Sequence, residues 1–590
     1  MDLNDLEMYA NFKHGEEFLK IPSSIIGKKS VIEWFVVDDI SYWWFIAPMI
    51  HAKFKSATMF LDQLSSAVST HNIDKILLKG CFEKVDLIKN FCKINNIKLI
   101  ISFKFNLVKL NQFSKNIVKQ IGYKKINQKK FKKRMDCVKS KNYSKPQPNS
   151  TLFTSPGIYR RFSYDLGSKS AKKEEFYIQP FLDLLSQHNS PFTCIDLDYT
   201  FRGTTNILKE RLETKFNWLP IEIILQGKKE DSTKHVISVL KNQFKHFTTF
   251  NMDSIFNYKG IPLWKFLEPT FFEIFYEPNL PTYVDLIHKL EGFLNEVKPK
   301  QIIQVYESGP FAKAFEIAAL KLKIKTFGVQ HGLIPSDTPD YIFKEIKNNS
   351  YPFGNIVPDL TFVFGDYYKK ILTEVGSYPK EKVCSIGHPS YFDIDSIKQN
   401  LFRSDLIKKY NLPDKKIILI PLSFNFLNFK NSPDHTFLNF LFQQFKDDKE
   451  IIVLVRPHPG DSLTQTLFEQ KYDSKNFMVS SNTLTEDLML CDIVVALPIS
   501  TIITEAVLFE KPIILGNLTT KKQNPDFDKI YHELITHNVA ILCHLDEISK
   551  KINLINKGEN WNIKNSENHK KFLKLFFNYN EKIDLSSYLY

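Results

Sequence analysis

Short uninterrupted apolar runs recur along this chain, each separated from the next by a stretch long enough for an amphipathic helix, and the series is laid down twice. In the first half the runs are VIEWFVV (31–37), KILLKG (75–80), KLIISF (98–103), TLFTSP (151–156), FTCIDLD (192–198), IEIIL (221–225) and QIIQVYE (301–307). In the second they are LTFVFG (360–365), KVCSIG (382–387), KIILIP (416–421), EIIVLV (450–455), DIVVAL (492–497), KPIILG (511–516) and VAILC (539–543). Aliphatic runs without polar alternation are strands covered on both faces, as in the parallel sheet of an α/β fold. The expected fold class is α/β, with two Rossmann-like, doubly wound domains facing a central cleft. The length of 590 residues fits, because one hydrophobic core seldom supports so long a chain.

Between the series lies a turn-rich passage with Pro335, Pro339, Pro352, Gly354 and Pro358. The expected organisation is a first domain over 1–335, with a basic helical insertion at 104–150, a connection over 336–358, a second domain over 359–560 and a helical tail over 561–590. Ligands of doubly wound sheets bind outside the carboxyl ends of the strands, so candidate site residues are sought there.

Charge is concentrated rather than spread. The net charge is +14, and residues 104–145 alone hold fourteen Lys or Arg against one acid, Asp136. Within this block KKINQKKFKKRMDCVKSK (124–141) places Ile126, Phe131, Met135 and Val138 at roughly helical spacing. A basic amphipathic helix suits an anionic membrane surface, which is the first partner considered; nucleic acid and a solvated insertion are the alternatives. The seven cysteines form no CxxC pair, and the best apolar stretch, VVDDISYWWFIAPMIHA, is broken by two aspartates. No metal site, disulfide framework, export signal or membrane span is expected. The expected location is cytoplasmic, with the basic block able to hold the protein at the inner face of the membrane.

Three strand ends carry chemistry. Arg456-Pro457-His458-Pro459 comes directly after EIIVLV, where guanidinium and imidazole can hold a phosphate and the imidazole can add positive charge as a nucleotide departs. Ser500 and Thr501 open a helix after DIVVAL, with Glu505 one turn on; free amides and hydroxyls there suit phosphate, and the carboxylate suits ribose hydroxyls. Glu307 ends QIIQVYE, just before Ser308 and Gly309, and partial burial would fit it to act as a general base. Gln330, His331 and Gly332 form a further polar cluster after a strand, and Asp38 and Asp39 are a last candidate pair. Each group also has a plain structural use: a rigid turn at His458-Pro459, an N-cap at Ser500 or Thr501, loop hydrogen bonds at Glu307, and caps at the aspartates.

Taken together, residues 300–520 resemble the GT-B glycosyltransferases that use CMP-activated acidic sugars, among them bacterial sialyltransferases, polysialyltransferases and capsule or lipopolysaccharide Kdo transferases. That family carries an HP motif, matched by His458-Pro459; a serine/threonine pair, matched by Ser500-Thr501; and an acidic-acidic-Gly motif, matched by Glu307-Ser308-Gly309, where Ser308 departs from the second acid. Teichoic-acid glycerophosphotransferases and relatives of UDP-N-acetylglucosamine 2-epimerase are similar in the second domain.

The resemblance implies a metal-independent, inverting glycosyltransferase, with Glu307 as base and His458, Arg456, Pro459, Ser500, Thr501 and Glu505 at the donor. It implies no cofactor beyond a nucleotide-sugar donor, CMP-linked first, and a glycan or lipid-linked glycan acceptor on the first domain. A UDP-hexose transferase or CDP-polyol-phosphate transferase on the same fold, and a non-catalytic nucleic-acid-binding or scaffold protein acting through the basic block, are the alternatives.

Overall fold

The computed structural model describes residues 13–79, 83–101, 125–139, 144–198, 205–227, 230–275, 279–342, 356–423, 433–459, 461, 463–498, 500–518, 529–556, 566–579 and 583–590. Two parallel sheets organise them, one of seven strands and one of six. Across the first, the strands run Trp218–Pro220, Phe192–Asp196, Thr151–Ser155, Gln301–Val305, Lys325–Val329, Leu360–Val363 and Val383–Ser385. Across the second they run Phe477–Val479, Ile451–Arg456, Lys416–Pro421, Ile493–Ala496, Ile513–Asn517 and Ile541–His544. Numbered by chain order within each sheet, the first reads 3-2-1-4-5-6-7 and the second 3-2-1-4-5-6. Both are therefore doubly wound, as expected, with a switch point between the first and fourth strands where neighbouring connections leave in opposite directions.

Helices cover both faces, and the strands are apolar for that reason: Thr151–Ser155, Gln301–Val305 and Ile513–Asn517 are buried along their whole length. Leu360–Val363 and Val383–Ser385, expected to open the second sheet, instead pair with Lys325–Val329 and with each other, so they extend the first. An apolar run records burial but not which sheet provides it. Most of the expected connection, 343–355, lies outside the described residues.

Four further runs differ from expectation. Residues Ile32–Phe35 form a 3-10 turn, and Val36–Val37 pairs with Ile40–Ser41 through a tight hairpin. Asp38 and Asp39 are its two turn residues, both exposed and at positive φ, so they serve the turn and not a ligand crevice. Ile221–Ile224 is a helical turn after Pro220, and among the described residues Lys75–Leu78 and Lys98–Ile101 pair with each other and with no strand of either large sheet. The described residues before 102 are instead mainly a helical cover, built on the 29-residue helix Trp43–His71, which packs against helices Trp264–Ile274 and Leu280–Val297.

The tail returns to the first sheet. Helix Glu567–Phe577 stacks Phe576 on Tyr367 at 4.2 Å, and His569 approaches the Val507 carbonyl at 3.0 Å. The Leu589 carbonyl then accepts from Lys300 Nζ at 3.1 Å and from Gln301 Nε2 at 3.2 Å. Among the described residues, no helix is long and apolar enough to cross a membrane.

Candidate functional site

The carboxyl rim of the first sheet is built on buried ion pairs. Arg211 is fully buried and donates to Asp196 at 2.7 Å, to Glu175 at 2.7 Å and to the Ser155 carbonyl at 3.0 Å. Glu175 ends the hairpin Arg160–Asp165/Ser170–Glu175 and also takes Arg160 at 3.4 Å, so this network fastens the hairpin to the rim. The next residue, Arg161, is thereby held in the crevice. Its guanidinium lies 5.5–5.7 Å from the rings of Tyr159, Phe176 and Tyr177, and its Nε donates to the Ile158 carbonyl at 3.1 Å. Among the described residues no carboxylate stands within ion-pair distance of it.

Glu307 comes just after the fourth strand of this sheet and is 1% exposed, with neither carboxylate oxygen in a well-formed hydrogen bond. Burial pushes its pKa up to about 7; its own backbone amide, the Lys313 ammonium and the nearby Tyr341 hydroxyl pull the other way by less. The chain reaches it through Tyr306, a bulky residue at φ +63, a left-handed conformation that costs roughly 1–2 kcal/mol. Gly328 on the neighbouring strand makes room, since a Cβ there would lie 2.7 Å from Glu307 Cγ. Ser308 is buried, and Gly309 precedes helix Pro310–Leu322, its carbonyl accepting from the Lys313 amide at 2.9 Å.

Beside Glu307, His331 packs 4.6 Å from the Tyr306 ring and 5.3 Å from that of Tyr159, and its Nδ1 lies 3.5 Å from the Tyr341 hydroxyl. Burial, with Arg161 adding to it, lowers its pKa to about 3, so the ring is neutral. Gln330 is structural: its Nε2 donates to the Gly332 carbonyl at 2.6 Å and its Oε1 accepts from the Phe364 amide at 2.7 Å. Gly332 then meets the other domain, because a Cβ there would touch Thr501 Cγ2 at 3.9 Å.

On the second rim, Thr501 precedes helix Ile502–Leu508 without capping it, so its exposed hydroxyl is not spent on the helix; Ser500 is half-buried. Glu505 is buried, and burial pushes its pKa up to about 7 against the pull of Arg161, Arg456 and the Tyr391 hydroxyl, which stands 3.5 Å away. Arg456 donates to the Asn482 carbonyl at 3.0 Å and pairs with the buried Asp487 carboxylate, itself held by Ser480. His458 is half-buried, with its pKa lowered by burial and then by Arg161 while Asp461 pulls up; Pro459 beside it is exposed.

The two rims approach each other where Gly332, just past His331 and the Tyr306-Glu307 turn, meets Thr501. Arg161 joins them, since its charge acts on His331, His458 and Glu505 together. Sequence reasoning missed Arg161, Asp487 and His388. His388 is buried, its Nε2 3.7 Å from Glu505 Oε1 and its ring 4.1 Å from Phe364, and neither nitrogen makes a hydrogen bond among the described residues. A signal for it existed: Gly387-His388-Pro389 repeats, after a strand end, the dipeptide found at 458–459. Arg161 lay in a polar hairpin with no such mark. Among the described residues no group of three or more His, Cys, Asp or Glu is arranged to hold a metal ion.

No protein-family model matches the chain. An uncharacterised protein of Methanocaldococcus jannaschii is 24% identical over 321 residues, covering 52% of this chain and 52% of that protein. The chain thus spans about half the length of the curated relative it matches. Among solved structures, UDP-GlcNAc 2-epimerase from Neisseria meningitidis bound to UDP-GlcNAc is 12% identical, covering 72% of this chain and 94% of that one, with a TM-score of 0.41. The wall teichoic acid polymerase TagF is also 12% identical, covering 80% and 94%, with a TM-score of 0.41.

Proposed function

We propose that this chain is a glycosyltransferase that moves a sugar from a nucleotide donor to a hydroxyl of a surface glycan or glycolipid. What supports the reading is a buried carboxylate poised near neutrality, Glu307, on one rim, and a guanidinium without a carboxylate partner among the described residues, Arg161, whose charge acts both on His331 beside it and on His458 of the other rim, where Ser500 and Thr501 stand. As the acceptor oxygen attacks the anomeric carbon, Glu307 takes its proton, and the bond from that carbon to the phosphate oxygen breaks with inversion. The electron pair leaves with the nucleotide. Arg161 and Arg456 offset the charge that develops there, and the Ser500 and Thr501 hydroxyls donate to it. His458 enters as a neutral donor, because burial and Arg161 lower its pKa, and a bound phosphate would draw that pKa back up. Glu505, one helical turn into the second rim, receives the ribose hydroxyls.

The motif resemblance puts a CMP-linked acidic sugar first among donors, with no cofactor beyond it; UDP-hexoses and CDP-linked polyol phosphates use the same groups. The test incubates the protein with all three donor classes and scores free nucleotide in the wild type and in Glu307→Gln. Release from a CMP-sugar that Glu307→Gln abolishes is expected. Release from UDP-hexoses alone overturns the donor assignment, and no release from any donor overturns the reading.

A further inference from the structure

The basic helix stands at a place that its own residues do not announce. Residues 125–139 are helical, and Arg134 from this helix is buried, donating to Asp196 at 2.7 Å and to Glu222 at 2.5 Å. Asp196 ends strand Phe192–Asp196, and Glu222 lies just beyond strand Trp218–Pro220. Both carboxylates mark the carboxyl rim of the first sheet, the rim that carries Glu307. Strand Phe192–Asp196 is separated from strand Gln301–Val305 by Thr151–Ser155 alone, so the anchor lies roughly 10 Å along the rim from the proposed base.

The helix is oriented by its anchor. Arg134 and Val138 are buried and Phe131 and Met135 half-buried, so most of the apolar stripe expected to meet lipid is occupied by the protein itself, and Ile126 alone of that stripe is exposed. The opposite face is exposed and, Asp136 apart, cationic: Lys125, Lys129, Lys132 and Lys133 succeed one another at helical spacing, and none of these lysines has an ion-pair partner among the described residues. A membrane-surface helix buries a continuous apolar face in the headgroup boundary, and this one has a single side chain to offer. Single-stranded nucleic acid is held by exposed aromatic platforms as well as charge, and the one aromatic residue of this helix is half-buried. What remains is an ordered row of point charges beside the crevice.

We propose that this row is an acceptor track: it holds a polyanionic glycan, one with repeated carboxylate or phosphate groups, and feeds its end toward Glu307. The inference rests on the transferase reading, from which it takes the identity of the crevice, and adds the chemical class of the acceptor. Binding is electrostatic, so it weakens steeply with salt and does not discriminate finely between repeat units.

The experiment uses the full chain and a variant carrying Lys125→Ser, Lys129→Ser, Lys132→Ser and Lys133→Ser, with alginate oligomers as the carboxylated probe. Neutral dextran, phosphatidylglycerol vesicles and duplex DNA at matched charge are the comparisons. Wild type is expected to bind alginate in preference to the other three, and the variant to lose at least tenfold in affinity while donor-dependent nucleotide release without acceptor stays unchanged. Equal alginate binding by the variant, or a preference of the wild type for vesicles or DNA, overturns the track. The two failures are distinguishable: absent nucleotide release in the wild type counts against the transferase reading, whereas the binding arm judges the lysine row by itself. Circular dichroism of the variant, expected to match wild type because Arg134 is retained, separates lost charge from lost fold.

Discussion

The two sheets share one strand order, yet they part company at the end of the fourth strand. In the first, Glu307 comes at once, behind a strained Tyr306, in a setting that gives its carboxylate oxygens no well-formed hydrogen bond. In the second, the chain runs through Ser500 and Thr501 into a helix and reaches its carboxylate, Glu505, one turn later. Both acids have a pKa pushed up to about 7, but by different balances. Glu307 is raised by burial, opposed by its own amide, one ammonium and one phenol. Glu505 is raised by burial against two guanidiniums and a phenol. A carboxylate that must accept a proton is best left untied, and one that orients a ligand is best held by cations. The same topology therefore offers two equivalent places, and under the proposed roles local charge divides the work between them.

The hardest test of that division is Glu307→Gln, expected to lower nucleotide release by about 10²–10⁴-fold, the range for loss of a general base, with donor affinity unchanged. An equal loss in Glu505→Gln, without a change in donor affinity, would break the contrast. Next in size is Arg211→Met. It leaves Asp196 and Glu175 buried without their shared cation and is expected to cost about 3–5 kcal/mol, read as a lower denaturation midpoint. If the hairpin is what lends Arg161 to the second rim, donor affinity falls in the same variant. Arg161→Ala should then raise the donor KM by roughly 10- to 100-fold, as for a lost charge-assisted contact of about 1.5–3 kcal/mol, with kcat less affected. Unchanged KM would leave the two rims independent.

The smallest effect is on pH dependence. On the proposed reading Glu307 acts as the base in its deprotonated form, so kcat/KM should climb through about pH 7 with an acid limb that is absent from Glu307→Gln. Stability should move the opposite way. A carboxyl whose folded pKa is raised keeps its proton in the native state after the unfolded state has lost it, so stability contributed by this group declines as pH rises from about 4.5 to about 7. Glu307→Gln removes that decline. Its thermal midpoint relative to wild type should be higher at pH 8 than at pH 5, and a constant difference across that window would show that the carboxyl is not raised.

Much of this was legible in the residues. The runs at 151–156, 192–198, 301–307, 416–421, 450–455, 492–497 and 511–516 carry strands, as short apolar runs covered on both faces and spaced by helix-length stretches suggest. Strand ends in turn pointed to Glu307, His458 and Ser500. Less legible was IEIIL, where Pro220 starts a helical turn, and VIEWFVV, where Asp38-Asp39 forces a hairpin too short for a layer of sheet. The sheet membership of 360–363 and 383–385 was not legible at all, since pairing partners are chosen by contacts distant in sequence.

By itself, then, the sequence determined that the chain is α/β, that its strands are covered on both faces, and which short segments end at a carboxyl rim, because these come from local periodicity and the chemistry of single residues. Only the tertiary structure decided that Arg161 joins both rims, that His388 lies against Glu505, and that Arg134 turns the basic helix so that its lysines face outward. The physical reason is that charge acts through space: a guanidinium's partners are set by where the folded chain carries it, and nothing in its neighbours along the chain records that place.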